Sequence, residues 1–66
     1  MKMYHNLEAE IARNEIKRKD VAEALGISEK TLYNKIHGES EFSLSECLTI
    51  KDMFFPELNL EQLFKK

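Results

Sequence analysis

Four side chains suited to nucleic-acid contact recur at helical spacing near the middle of the chain. They are Lys30, Tyr33, Asn34 and His37. On a helix over residues 29–37 they share one face, which carries no acidic side chain, and Leu32 and Ile36 lie opposite. Lysine and asparagine can hydrogen-bond the edges of guanine and adenine in a major groove, and tyrosine can pack against a thymine methyl group. The spacing therefore predicts a helix face that could contact double-stranded DNA.

A run of three basic residues, Lys17, Arg18 and Lys19, lies at the start of the preceding predicted helix. Basic side chains and the amino-terminal end of a helix both attract phosphate, so the run suits contact with a nucleic-acid backbone. Either feature alone is ordinary, because basic runs are usually solvated surface and amphipathic helices have polar outer faces. Their coincidence with helix-turn-helix spacing favours a nucleic-acid interface.

Short helices must position these side chains, and the sequence predicts five of them. Gly26, Gly38 and Pro56 separate segments in which apolar residues recur with helical periodicity. No segment alternates apolar and polar residues as a half-buried strand would. The expected helices cover 6–13, 18–25 and 29–37, and two more follow Ser43 and Asn59. We therefore expect an all-α fold, a compact five-helix bundle that forms a single domain over residues 1–66.

Polar residues at the expected helix ends predict how the backbone is capped. Four of them precede a helical segment, where a side-chain oxygen can accept from a free backbone N–H. They are Asn6, Ser28, Ser43 and Asn59. Glu46 follows Ser43 by three residues, which is the spacing of a capping box. Asn14 suits a left-handed residue that ends the first helix.

The link between the second and third helices has helix-turn-helix spacing. Ala22 is small enough for the two helices to approach closely, and Gly26, four residues later, permits the positive φ that a tight turn needs. Ile27 and Leu32 place apolar side chains into the crossing. The pattern predicts a helix-turn-helix over residues 18–37, a geometry that also occurs in bundles that do not bind DNA.

Residues 18–38, RKDVAEALGISEKTLYNKIHG, resemble the helix-turn-helix of the lambda-repressor-like (Xre-type) DNA-binding family. The resemblance extends from Leu7 to Phe64. Within the family, TLYNKIHGESEFSLSE followed by FFPELNLEQLF is most similar to small phage Cro- or repressor-like proteins of Gram-positive bacteria. It implies a sequence-specific, double-stranded-DNA-binding transcriptional regulator of phage or prophage kind, whose recognition helix over residues 29–37 enters the major groove.

The resemblance also implies which side chains meet DNA. The expected base contacts are Ser28, Glu29, Lys30, Tyr33 and Asn34, and the expected phosphate contacts are Lys17, Arg18, Lys19, Lys35 and His37. Three positions depart from the family pattern, which often has glutamine at 18, a serine or threonine cap at 17 and an apolar residue at 35. Glu29 has two interpretations, since it could accept from cytosine N4 or stabilise its own helix start as an anion.

The composition excludes several other classes of function. One cysteine and two histidines among 66 residues are too few for a disulfide or a structural zinc site, and neither histidine has a readable catalytic partner. Cys47, on an apolar stripe with Leu44 and Leu48, is interpreted as a core thiol. No apolar run could span a membrane or serve as a signal peptide. We expect a cytoplasmic protein that is not an enzyme and needs no cofactor or small-molecule ligand.

The charge is unevenly distributed along the chain. The formal net charge is −2, yet residues 17–37 carry +2 and residues 38–66 carry −3. The basic segment coincides with the helix-turn-helix, which agrees with a DNA partner. The acidic segment leaves a second hypothesis open, a protein-interaction module on the same scaffold, such as an antitoxin-like adaptor or the partner of an antirepressor.

Three phenylalanines in the C-terminal half suggest how two copies could associate. Phe54, Phe55 and Phe64 could form a dimer surface, and a two-fold dimer suits a palindromic operator. The alternative interpretation is that these rings simply complete the core.

Overall fold

Residues 3–65 are described by the computed structural model, which contains five helices and no strand within that range. The helices are α1 (His5–Arg13), α2 (Arg18–Leu25), α3 (Glu29–Ile36), α4 (Leu44–Phe54) and α5 (Leu60–Leu63). The prediction of an all-α five-helix fold is confirmed, and each helix begins within one residue of its expected start.

The apolar stripe of each helix turns inward and meets the others in one core. α2 packs against α3 and α4, whereas α1 packs against α3 and α5. The largest fully buried side chains are Leu7, Ile11, Val21, Leu32, Ile36, Ile50 and Leu63. Because α1 and α2 pack against the inner face of α3, they fix which face of α3 points outward.

An aromatic cluster closes the core where the two ends of the chain meet. Tyr4, Phe42 and Phe64 pack edge to face, with ring centroids 5.3–5.8 Å apart. Phe55 is only 4% exposed, so its ring is unavailable to a second copy, and Phe54 and Phe64 pack against the core as partly buried side chains. The alternative interpretation is therefore favoured for Phe55, because the chain uses that ring to complete its interior, and the dimer surface stays a prediction.

Three of the four expected side-chain caps are present. Ser28 Oγ accepts from the backbone N–H of Thr31 at 3.1 Å, and Asn59 accepts from the N–H groups of Glu61 and Gln62. At the start of α4, Ser43 and Glu46 form both bonds of a capping box. Local chemistry alone determines these starts, since each cap satisfies a backbone donor within its own first turn.

The expected N-cap of α1 is wrong, and the expected C-cap residue, Asn14, ends the helix without the left-handed conformation. The helix begins at His5 after Tyr4, whose backbone N–H donates to the Ile36 carbonyl and whose ring is buried. Asn6 lies inside the helix and donates to the Gln62 carbonyl at 2.7 Å. At the other end Asn14 has φ −93°, and the left-handed residue is Glu15 at φ 54°. Tertiary contacts of Tyr4 and Asn6 override the local capping preference.

The stripe containing Cys47 is only partly internal. Cys47 is half-buried and packs against the core, but Leu44 is 68% exposed and Leu48 is also exposed. Burial, aided by the neighbouring Glu46 carboxylate, raises the pKa of the Cys47 thiol, so it is held as the neutral thiol. α4 buries Ile50 and leaves Leu44 exposed, and it packs against α2 and α5.

Candidate nucleic-acid interface

The turn between α2 and α3 forms as its residue types predict. Gly26 ends α2 in the left-handed conformation, at φ 71° and ψ 32°. A Cβ added there would meet nothing within 4 Å, so the backbone conformation, not a lack of space, requires glycine. The Ile27 N–H donates to the Ala22 carbonyl at 3.0 Å, and Ala22 is buried. The two helices are thereby fixed as a helix-turn-helix.

The outward face of α3 carries the side chains expected to contact bases. Leu32 and Ile36 are fully buried, whereas Lys30 and Glu29 are exposed and Tyr33 is 52% exposed. Asn34 is half-buried on the same helix. Ser28 is exposed, but its hydroxyl is already bonded within the first turn, to the backbone and hydroxyl of Thr31. The structure brings Lys30, Tyr33 and Asn34 to one side of the helix.

His37 lies at the carboxyl end of α3 and stacks on Tyr33. The two ring centroids are 4.0 Å apart with the planes tilted by 31°. His37 is half-buried, so it supports one side of the exposed tyrosine ring. This contact orients a side chain that would otherwise rotate freely in solvent.

The basic run opens α2 as expected. Lys17 is the residue before the helix and makes no side-chain cap bond, which agrees with its lack of an acceptor. Lys17 and Lys19 are exposed. The Arg18 side chain is 45% exposed, and its Nη2 donates to Glu8 Oε1 on α1. The start of α2 therefore presents three cations together with its free backbone N–H groups.

Lys35 differs from the other expected phosphate contacts. Its side chain is only 14% exposed. Its Nζ donates to the Glu41 carbonyl at 2.9 Å, lies 3.2 Å from Glu46 Oε1, and sits 5.9 Å from the centre of the Phe42 ring. The phosphate role stays a prediction, and these internal partners favour a structural role in joining α3 to the start of α4.

Glu46 receives that ammonium while it also caps α4. The pKa of its carboxyl is lowered, first by the bond from the Ser43 backbone N–H and then by Lys35, against the opposing effect of partial burial. The carboxylate is therefore the favoured form. It fixes both the helix start and the lysine.

Sequence reasoning missed Glu8, which lies between the two elements expected to meet DNA. One oxygen of its carboxylate accepts from Arg18 at the start of α2. The other oxygen lies 3.9 Å from His37 Nε2 at the end of α3. The partners are distant in sequence and on different helices, so helical spacing gave no signal for the cluster.

A groove of about 380 Å³ lies on another side of the molecule, between α1, α5 and the loop that joins α4 to α5. Its lining includes Glu10, Arg13, Leu58 and Gln62, and none of its residues belongs to α2 or α3. It is therefore separate from the helix-turn-helix.

Comparison with known proteins bears directly on this arrangement. None of the helices in residues 3–65 is long and apolar enough to cross a bilayer. No curated protein and no solved structure matched the chain significantly. A family model described as the Cro/C1-type HTH DNA-binding domain matches residues 6–55, most of the chain and all of α1 to α4 except His5. The chain thus belongs to the Cro/C1-type helix-turn-helix DNA-binding domain family.

Proposed function

We propose that this DNA-binding chain is a sequence-specific transcriptional regulator of the repressor or Cro kind that phages and prophages encode. It would act in the cytoplasm, without a cofactor or a catalytic step, and insert α3 into the major groove. The observation that carries the proposal is the outward face of α3, where Lys30 and Tyr33 are exposed and Tyr33 stacks on His37. The start of α2 is close to the end of α3, because Glu8 contacts both Arg18 and His37. The family match by itself does not say which side chains of α3 point outward.

Sequence discrimination is assigned to the exposed side of α3. Lys30 can donate to guanine, Asn34 can bond adenine through both amide atoms, and Tyr33 offers an aromatic edge to a thymine methyl group. Ser28 and Glu29 lie in the first turn, which recognition helices usually direct into the groove. Because the hydroxyl of Ser28 is committed to capping, its contribution is smaller than that of Lys30.

Affinity is assigned to contacts with phosphate. The proposed groups are Lys17, Arg18 and Lys19 at the start of α2 and His37 at the end of α3. Each neutralised phosphate contributes about −0.9 to the slope of log K against log salt, so the three cations Lys17, Arg18 and Lys19 give a slope of about −3. Binding is therefore expected to weaken steeply as salt rises.

The operator is proposed to be palindromic and read by two copies of the chain. A two-fold dimer places its recognition helices about one helical turn of DNA apart, near 34 Å. Such a site would contain two inverted half-sites whose centres are separated by about 10 base pairs.

The decisive experiment is selection from duplexes that contain a randomised segment of about two helical turns. We expect enrichment of one inverted repeat and gel shifts that weaken between low and moderate salt with the slope given above. Enrichment of a single, non-repeated half-site would contradict the dimer. Absence of salt-sensitive binding at micromolar protein would contradict DNA binding and favour the protein-interaction hypothesis.

A further inference from the structure

We propose that Glu8 is a positioning residue for DNA binding, which holds the Arg18 guanidinium in the orientation that a phosphate requires. The inference rests on the proposed function. It concerns a residue on α1, outside the helix-turn-helix, whose side chain joins both ends of that motif. An acidic residue beside a DNA-binding surface would otherwise be expected only to repel phosphate.

Arg18 bonds Glu8 while part of its side chain stays exposed. A guanidinium has five N–H donors in a rigid plane. One of the donors at Nη2 of Arg18 bonds to Glu8 Oε1. The Arg18 side chain is still 45% exposed, and the guanidinium has further N–H donors that this bond does not use. The carboxylate therefore fixes the plane of the guanidinium without using all of its capacity to bind an anion.

The Glu8 carboxylate also lies close to the end of α3. Its side chain is only 23% exposed, and its second oxygen lies 3.9 Å from His37 Nε2. His37 in turn stacks on Tyr33. Since Glu8 also lies close to the end of α3, it places Arg18 relative to the helix proposed to enter the groove and not merely relative to α1.

An arginine held in place before binding loses less entropy when it contacts phosphate. A free arginine loses rotamer entropy when it binds a phosphate, whereas an arginine already held loses less. Removal of Glu8 would thus have two opposite effects, a general gain in affinity from one fewer negative charge and a specific loss of the contribution of Arg18. A double-mutant cycle separates them, because the general charge effect cancels.

The test measures how much Arg18→Gln weakens binding in two backgrounds, the wild-type chain and Glu8→Gln. The probes are the duplex selected by the wild-type chain and a shuffled duplex of the same composition. We expect Arg18→Gln to weaken binding at least about threefold more in the wild-type background than in the Glu8→Gln background. An equal or larger loss in the Glu8→Gln background would overturn the proposal.

Two variants separate position from charge. Glu8→Asp keeps the charge but retracts the carboxylate, so we expect it to resemble Glu8→Gln in the cycle. If Arg18→Gln weakens binding as much in the Glu8→Asp background as in the wild-type chain, the negative charge is sufficient and the positioning role is wrong. Glu10→Gln is the matched control, because Glu10 lies on the opposite side of α1 and pairs with Arg13 at 3.2 Å. It should leave the cost of Arg18→Gln unchanged.

The experiment distinguishes failure of the proposed function from failure of the role of Glu8. If the wild-type chain binds neither duplex, DNA binding through α3 is wrong and the role of Glu8 with it. If the wild-type chain binds and the cycle shows no coupling, only the role of Glu8 is wrong. Thermal unfolding of each variant shows whether a change in affinity reflects loss of fold, and an unfolded Glu8→Gln chain leaves Glu8→Asp to decide the outcome.

Discussion

At the scale of single residues, the chain separates the side chains that would discriminate bases from those that would provide affinity. Lys30, Tyr33 and Asn34 lie on the outward side of α3, and Lys17 and Lys19 open α2. Base edges carry sequence information, whereas phosphates do not. The two groups should therefore respond differently to substitution.

Asn34→Ala is expected to relax sequence preference. If Asn34 makes a paired contact with adenine, its loss should reduce discrimination at one base position by about 1–3 kcal/mol. The measurement is selection from the randomised duplex pool with the variant and the wild-type chain side by side. An unchanged preference at every position would remove Asn34 from the set of base contacts.

Lys19→Ala is expected to weaken binding to all duplexes alike. Loss of one phosphate contact should lower the salt slope by about one unit, with no change in the preferred sequence. Titrations at several salt concentrations provide both quantities. Lys65→Ala removes the same charge from the exposed end of the chain after α5, so a similar decrease there would show that total charge matters and not the α2 start.

At the scale of elements, the helix starts are determined locally and their placement is not. Ser28 and Ser43 bond backbone groups in their own first turns, and any chain with these residues at these spacings would tend to do so. By contrast, α1 begins at His5 because Tyr4 is fixed from outside the helix, by its bond to Ile36 and its buried ring. Capping chemistry thus predicts an end well only where no tertiary contact competes.

The start of α4 gives a prediction with a pH dependence. Because the pKa of Glu46 is lowered in the folded chain from the ordinary 4.5, the folded state binds this proton more weakly than the unfolded state. Its stabilising effect is therefore complete above the ordinary pKa and is lost as the pH falls through the lowered value. We expect Glu46→Gln to reduce the free energy of unfolding by about 0.5–1 kcal/mol at neutral pH.

Urea unfolding of wild type and Glu46→Gln at several pH values checks this expectation. The difference between the two chains should shrink as the pH falls from 7 toward about 3. Glu39→Gln serves as the control, since Glu39 is exposed in the loop between α3 and α4. A difference that persists at low pH would mean that the charge of Glu46 contributes nothing.

At the scale of the whole molecule, 66 residues leave few apolar side chains to spare. A chain of this size buries only about 60% of the surface that its unfolded form exposes, so large rings that can be buried are buried. This need to bury apolar surface explains why Phe55 lies in the core and why the rings of Tyr4 and Phe64 pack together. The formal charge of −2 does not argue against a DNA partner, because DNA contacts one face of the molecule and the basic residues are concentrated in residues 17–37.

Phe55→Ala tests the assignment of this ring to the core. We expect a loss of about 3–5 kcal/mol in the free energy of unfolding, which a small domain could barely survive. Leu44→Ala, at a side chain that is 68% exposed, should change stability by less than about 0.5 kcal/mol. If Phe55→Ala instead weakened self-association and left unfolding unchanged, as followed by light scattering and urea titration, the ring would belong to an interface.

The sequence by itself determined the features that depend on neighbours along the chain. Helical periodicity, breakers and caps predicted five helices, the turn at Gly26 and the burial of Leu32 and Ile36, and the same periodicity predicted the outward face of α3. These follow from local geometry, since residues three or four apart on a helix must share a face.

Only the tertiary structure decided which residues meet across helices. It brought Glu8 between Arg18 and His37, engaged Lys35 with the start of α4, buried Phe55 and exposed Leu44. The physical reason is that helical periodicity gives the faces of each helix but neither the rotation nor the partner that packing selects. That selection depends on how a small set of apolar side chains fills one shared interior.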